Sequence, residues 1–353
     1  MSYSRPTNPS SPRARKRSAC LAIVMLGMLI AGPAAPQDRI MLVGTGSSLP
    51  APLYNAWTEE FSKQHKTISI RYLPIGTGES IHRIVTGNGD FGGGDTPIPE
   101  EELKRSRVPL LEFPMILIGV VVIYHVPGVS TGIKLTGPVL ADIFLGKTKK
   151  WNDPGIAKSN PGVTLPPLPI IVVHRTEGKG SNYIFSDYLS KVSREFHSKV
   201  GRSTSPKWLV GNAFSRTEEM IEEVKTKPGA IGYTELNWAA KSGLPIALIR
   251  NAAGEFVNPS AETIAAAATG IESKMTEDFR ISLTNGAGKE SYPISSFTWI
   301  YVPAKSTDSA RTRAVITFVS WALTSGQQLA ATKGYAPLPP RLVAKVHAKL
   351  ATF

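Results

Sequence analysis

Three glycine-rich segments stand where a predicted strand passes into a predicted helix, and we call them the first, second and third glycine segments. They are, in chain order, Gly44-Thr-Gly-Ser-Ser-Leu-Pro50, Gly76-Thr-Gly-Glu-Ser80 and Gly178-Lys-Gly-Ser181. Each offers free backbone N–H groups at the positive end of a helix dipole, an arrangement that binds anions. Hydroxyl groups add further donors, those of Ser48, Thr77, Ser80 and Ser181. One such segment alone is an ordinary helix cap, whereas three that converge would form a cage for a small tetrahedral anion.

Two charged residues near these segments indicate which anion would fit. Arg175 follows a predicted buried strand, and its planar guanidinium can bind an oxyanion in bidentate fashion. Asp95 ends the run Gly89-Asp-Phe-Gly-Gly-Gly-Asp95, whose glycines let the backbone fold closely around its carboxylate. A carboxylate accepts a hydrogen bond from an oxyanion that still carries a proton, such as hydrogen phosphate, and repels sulfate. Both residues also have an ordinary explanation, Arg175 as a surface arginine and Asp95 as a turn former or helix cap.

The elements that position these residues alternate between strands and helices. Arg39–Val43 is predicted to form a short buried strand, and Leu53, Trp57 and Phe61 fall on one face of the following helix. Phe113–Tyr124 is nearly all apolar but too short to span a membrane, so it predicts a strand buried on both faces. The alternation predicts an α/β protein with mainly parallel sheets.

The N-terminus has the order of a secretory signal. Basic residues at Arg13–Arg17 precede an apolar run, Ala19–Ala31, and small residues with proline follow as far as Pro36. We predict a cleaved signal peptide over residues 1–36 and a periplasmic protein, with a retained membrane anchor as the alternative. Cys20 is the only cysteine of the chain, so the mature protein would have no thiol and no disulfide.

Other classes of function find less support in the sequence. The histidines are scattered without the i,i+4 spacing of a zinc helix, at His65, His82, His125, His174, His197 and His347. No Walker A motif is present. The formal net charge of +13 is compatible with nucleic acid or an anionic ligand, but the basic residues are dispersed. We therefore expect no nucleic-acid partner, no cofactor, no metal and no catalysis, with a secreted phosphatase-like enzyme as the alternative.

Several motifs, taken in order, resemble those of one family. They are Gly44–Pro52, Asp90–Pro97, Asp142–Lys147, Lys150–Asp153, Val173–Ser181, Pro228–Tyr233 and Tyr292–Ser295. The chain resembles the periplasmic phosphate-binding proteins of the high-affinity phosphate ABC importer, the PstS type. This resemblance implies inorganic phosphate as ligand, the membrane permease subunits of that importer as partners, and a monomer.

The resemblance also implies a two-lobed periplasmic-binding-protein (Venus flytrap) fold with two crossover strands. Lobe I would comprise residues 38–116 and 293–353, and lobe II residues 117–292. The chain would cross between the lobes near Met115–Leu117 and near Tyr292. The lobes of this fold close on dehydrated phosphate.

Carried over by position, the resemblance assigns ligand contacts to each glycine segment. Ser48 and the backbone N–H of Leu49 would stand at the first helix start, and Gly180 and Ser181 would donate from the third. Asp95 would accept the proton of the ligand. Arg175 would supply the positive charge, oriented by Glu177.

Two positions depart from the commonest pattern of the family. Gly78 stands where some members have a ligand serine, which leaves its backbone N–H or the nearby Thr77 and Ser80 as donors. Lys179 stands where a serine ligand is common, so its ammonium either strengthens anion binding or points to solvent. Another oxyanion (arsenate, sulfate, molybdate or tungstate) is the alternative ligand, and arsenate shares the protonation and shape of phosphate.

Overall fold

Strands and helices alternate along the described chain. The computed structural model describes residues 39–129, 132–269, 271, 274–304 and 308–352. The predicted signal peptide, residues 1–36, lies outside these residues. Within them, no helix has the length and apolar character needed to cross a bilayer.

The strands and helices have the following bounds. The strands are β1 (Ile40–Thr45), β2 (Ile68–Leu73), β3 (Phe91–Gly94), β4 (Leu110–Tyr124), β5 (Lys134–Leu135), β6 (Ile171–Arg175), β7 (Asn212–Phe214), β8 (Ala230–Glu235), β9 (Leu248–Arg250), β10 (Phe256–Val257) and β11 (Ser295–Pro303). The helices are α1 (Ala51–Gln64), α2 (Thr77–Val85), α3 (Glu100–Arg105), α4 (Gly137–Phe144), α5 (Pro154–Ala157), α6 (Gly180–Val192), α7 (Arg194–Lys199), α8 (Thr217–Thr226), α9 (Leu236–Ser242), α10 (Ala261–Ala266), α11 (Ser309–Ala322), α12 (Ser325–Thr332) and α13 (Pro340–Leu350).

An eight-stranded sheet within the described residues has the order β2-β1-β3-β11-β4-β8-β6-β7. At one end β1 is parallel to β2 and β3, and at the other end β6 is parallel to β7 and β8. In the middle, β11 is antiparallel to β3 and β4, and β4 is antiparallel to β8. The α/β class is therefore confirmed. The prediction of parallel pairing holds for the two ends of the sheet and is wrong for its centre.

Strand β4 links the two ends of the sheet. Its first part, Leu110–Gly119, pairs with β11, and its second part, Val120–Tyr124, pairs with β8. Every residue from Phe113 to Tyr124 is buried, as the apolar run predicts. The Val120 N–H donates to the Ile294 carbonyl at 2.9 Å, so the residue before β11 lies beside β4 at the point where β4 changes partner.

The hydrophobic core includes one aromatic cluster on each side of β4. On one side, Phe318 of α11 packs against Phe61 of α1 and Phe91 of β3, with ring centroids 5.3 and 5.6 Å apart. On the other side, Phe185 of α6 stacks on Tyr233 of β8 at 4.2 Å. Residues after β11 thus pack on the N-terminal elements.

Candidate functional site

Asp95 follows β3 directly, and its side chain is completely buried. The Ser47 hydroxyl donates a hydrogen bond to Asp95 Oδ2, and the Thr77 hydroxyl donates to the same oxygen at 3.5 Å. The other oxygen, Oδ1, is buried and has no hydrogen-bond partner among the described residues. Burial raises the pKa of Asp95 to about 7, although the hydrogen bonds from Ser47 and Thr77 act in the opposite direction. One oxygen of the carboxyl group is therefore held, and the other has no hydrogen-bond partner among the described residues.

The first glycine segment is organised around Ser47. Its Oγ accepts a hydrogen bond from the Leu49 N–H at 3.1 Å, and its carbonyl accepts one from the Tyr72 hydroxyl at 2.8 Å. The Gly76 N–H donates to the Gly46 carbonyl at 2.8 Å, which joins the second segment to the first. Ser48 is half-buried beside this arrangement. The Leu49 N–H is thus engaged within its own segment, and its donation to a ligand stays a prediction.

The second and third glycine segments are also in contact. The Gly78 N–H donates to the Gly178 carbonyl at 3.0 Å. A Cβ atom on Gly78 would lie 3.1 Å from the Gly178 Cα, so a side chain here would push the two segments apart. The Gly78 N–H is therefore occupied by the third segment, and a contact with the ligand stays a prediction.

The start of α6 lies directly against Asp95. A Cβ atom on Gly180 would lie 2.1 Å from Asp95 Oδ2, so glycine is the residue type that permits this approach. The next residue, Ser181, is buried, and its Oγ has no hydrogen-bond partner among the described residues. A buried polar group left unpaired costs about 1–3 kcal/mol. A ligand that bonds both Asp95 Oδ1 and Ser181 Oγ would remove both costs.

Arg175 ends β6 and is almost completely buried. Its guanidinium donates to the Thr217 hydroxyl at 2.7 Å, to the Ser215 carbonyl at 2.5 Å and to the Phe214 carbonyl at 3.2 Å. Burial lowers the pKa of Arg175. Its orientation thus comes from the segment before α8, whereas Glu177, the residue expected to orient it, is exposed.

A cavity of about 430 Å³ brings several of the predicted residues together. Ser48, Arg175 and Lys179 line it, along with Thr217 and the half-buried Trp238. Lys179 is the N-cap residue of α6 and is half-buried. Burial, with a smaller contribution from the Arg175 charge, lowers the pKa of Lys179. The cavity is therefore electropositive on the side formed by β6 and α6.

Ser80 has a structural role rather than a place at the cavity. Its hydroxyl donates to the Thr45 carbonyl at 2.8 Å and accepts a hydrogen bond from the Gly93 N–H at 3.1 Å. These bonds tie α2 to β1 and β3. Thr77 instead contacts the carboxylate of Asp95, as described above, and so supports the site directly.

Sequence reasoning missed two parts of the site. Ser47 holds Asp95, but the pair Ser47-Ser48 gives no sign of which hydroxyl faces the carboxylate. Ser215 and Thr217 hold Arg175, and their only signal is that Thr217 begins a helix, without any glycine before it.

The alternative of a phosphatase-like enzyme would need a metal site or a catalytic histidine. They include no cluster of three or more His, Cys, Asp or Glu residues that could hold a metal ion. His174, next to Arg175, is buried against Trp208 with ring centroids 5.3 Å apart, and burial lowers its pKa. The site offers donors, one free acceptor and positive charge, which are the requirements for binding an oxyanion.

Comparison with known proteins agrees with this fold and site. Residues 31–325 match the PBP superfamily domain. The chain is 38% identical to the phosphate-binding protein PstS of Xylella fastidiosa (strain Temecula1) over 90% of this chain and 86% of the relative. It is 37% identical to PstS of Pasteurella multocida over 93% of this chain and 95% of the relative. The chain belongs to the PstS family of phosphate-binding proteins.

Solved structures show the same fold at low sequence identity. A human phosphate-binding apolipoprotein matches with a TM-score of 0.69 and 19% identity, covering 87% of this chain and 93% of its own. A phosphate-bound high-affinity periplasmic phosphate-binding protein, PfluDING, matches with a TM-score of 0.68 and 20% identity, covering 88% of this chain and 93% of its own. These likenesses confirm the predicted periplasmic-binding-protein fold.

Proposed function

We propose that this protein captures inorganic phosphate outside the cytoplasm and delivers it to the membrane permease of an ABC importer. The observation that carries the proposal is a pair of unpartnered buried groups, Asp95 Oδ1 after β3 and Ser181 Oγ at the start of α6. One is an acceptor and the other a donor, and hydrogen phosphate offers the complement of both. The PstS relatives, which are named for binding phosphate, support the same ligand.

In the proposed complex, the P–OH group of phosphate donates to Asp95 Oδ1. The Ser181 hydroxyl and the free N–H groups at the start of α6 donate to the other phosphate oxygens. An arginine side chain has five N–H donors, and Arg175 uses three of them on Phe214, Ser215 and Thr217. Two N–H groups of Arg175 are thus left for the ligand, already oriented by the three bonds to the protein.

The same arrangement disfavours sulfate. Sulfate carries no proton near neutral pH, so Asp95 Oδ1 would stay unpaired and would face a sulfate oxygen with no hydrogen bond between them. Because burial raises the pKa of Asp95 to about 7, a growing fraction of the empty protein carries a protonated Asp95 as the pH falls below that value. The exclusion of sulfate should therefore weaken in acid.

The setting of the site is also part of the proposal. Residues 1–36 act as a cleaved export signal, and the mature protein is a periplasmic monomer. Lobe I (38–116 and 293–353) and lobe II (117–292) move about the β4 crossover and close on the anion. In this scheme the contact of Gly78 with Gly178 joins the two lobes in the closed state.

Isothermal titration calorimetry of the chain without residues 1–36 tests the function. We expect one phosphate to bind per chain, with arsenate competing and sulfate giving no heat at about pH 8. Asp95→Asn is expected to admit sulfate, because an amide can donate a hydrogen bond where the carboxylate only accepts. Absence of phosphate binding by the folded wild-type protein would overturn the proposal.

A further inference from the structure

Lys179 holds its ammonium group between two of the glycine segments. It is the N-cap residue of α6, and its backbone N–H donates to the Thr204 carbonyl at 3.1 Å. A Cβ atom placed on Gly76 would lie 3.5 Å from Lys179 Nζ, so the ammonium lies beside the second segment. Lys179 and Arg175 line the same cavity. The half-buried side chain therefore faces the cavity that Arg175 also lines.

Two exposed carboxylates of α8, Glu218 and Glu219, act on the Arg175 charge without contacting it. Among the described residues, no carboxylate forms an ion pair with Lys179 or Arg175. The acidic residues on the neighbouring elements are used elsewhere or exposed. Glu218 lies 3.8 Å from Arg216 at the edge of the cavity, Glu79 of α2 pairs with Arg83 at 2.9 Å, and Glu177 is exposed.

Two neighbouring positive charges that are partly removed from water repel each other and lose hydration. An anion bound between them offsets both costs. A singly charged anion compensates one cation, whereas a doubly charged anion compensates both. The charge distribution around Lys179 therefore favours a ligand with two negative charges.

Asp95 sets a second condition. Oδ1 is the one unpartnered oxygen of its carboxyl group, so it can accept the proton of a ligand, while the start of α6 presents donors. A ligand with two protons would turn its second one toward the backbone N–H groups at the start of α6, which can only donate. A ligand with one proton satisfies both sides of the site, and Lys179 and Arg175 supply the positive charge that compensates a dianion.

We propose that Lys179 makes this site select the form of its oxyanion that carries one proton and two negative charges. For phosphate this form is hydrogen phosphate, and dihydrogen phosphate is the form selected against. The inference rests on the proposed function, since it concerns the ionisation state of the same ligand.

Calorimetry with inorganic phosphate at constant ionic strength, at about pH 6 and about pH 8, tests this role. Dihydrogen phosphate predominates at the lower pH and hydrogen phosphate at the higher. Coulomb energy scales with the ligand charge. We therefore expect Lys179→Met to weaken binding roughly tenfold at the lower pH and on the order of a hundredfold at the higher pH. The wild type and Lys179→Met both contain Asp95, so the ratio of their Kd values at each pH reports the effect of removing the Lys179 charge.

Two further variants control for size and net charge. Lys179→Arg keeps the charge and is expected to keep the wild-type pH profile. Lys158→Met removes the same charge from an exposed position after α5 and is expected to bind like the wild type. A Lys179→Met loss that is equal at both pH values, or no loss, would overturn the inference while leaving phosphate binding intact. If the wild-type protein binds no phosphate at either pH, the proposed function itself fails.

Discussion

The buried carboxyl group of Asp95 should make the phosphate-free protein less stable as the pH rises. Its pKa is about 7 in the folded protein, against 3.8 for an ordinary aspartate. A carboxyl group whose pKa is raised by folding contributes most stability below its unfolded pKa, and that contribution is lost as the pH rises through the folded value. Asp95→Asn carries no charge at any pH, so the variant should escape this loss.

The magnitude follows from the size of the shift. About three pKa units at 1.36 kcal/mol each correspond to roughly 4 kcal/mol. Between about pH 4 and about pH 8, the free energy of unfolding of Asp95→Asn should therefore rise relative to the wild type by roughly 3–4 kcal/mol. Urea unfolding in phosphate-free buffer, followed by tryptophan fluorescence, measures this difference.

Other buried carboxyl groups also have raised pKa values, and they contribute to the pH dependence of stability in both the wild type and Asp95→Asn. Burial raises the pKa of Glu112 to about 7 and that of Glu235 to about 8. Glu112 cancels because both proteins contain it, whereas the Asp95 charge also raises the pKa of Glu235, so the difference reports Asp95 together with this coupling. Glu101→Gln, which neutralises an exposed carboxylate of α3, should give a difference that hardly varies with pH. If the difference in free energy of unfolding between Asp95→Asn and the wild type also stays constant with pH, the reasoning is refuted.

Two further predictions concern the donors of the site, and calorimetry with phosphate measures both. Ser181→Ala removes a buried hydroxyl that has no partner in the free protein. It should therefore weaken phosphate binding about tenfold and leave the free energy of unfolding unchanged or higher. A loss of stability without a loss of affinity would contradict this prediction. Arg175→Ala should cost roughly 2–5 kcal/mol of binding, the range for removing one partner of a buried charge contact, and an unchanged Kd in the folded variant would exclude Arg175 from the site.

Local features of this protein were predictable because they depend on neighbouring residues. The apolar run of β4, the helix starts after Gly44, Gly76 and Gly178, and the closeness of Asp95 to glycines are all encoded within a few positions. Hydrophobic periodicity and capping preferences act over such short distances. The hypothesis of an oxyanion site followed from them, and the order of motifs indicated the family.

Contacts between distant residues were decided by the tertiary structure. Ser47, not Ser48, holds Asp95, because β1 and β3 are adjacent and parallel and set which hydroxyl faces the carboxylate. Arg175 is held by Ser215 and Thr217, some forty residues away, because β6 pairs with β7.

The antiparallel centre of the sheet has the same origin. It arises from β11, which returns to pair with β3 and β4 after the chain has completed the other end of the sheet, and from β4, which is antiparallel to β8. The periodicity of a single strand does not determine the strand order, since a buried strand has the same apolar pattern whichever strands it pairs with. The sequence by itself therefore determined the elements and the chemical class of the site, whereas strand pairing decided which side chains complete it.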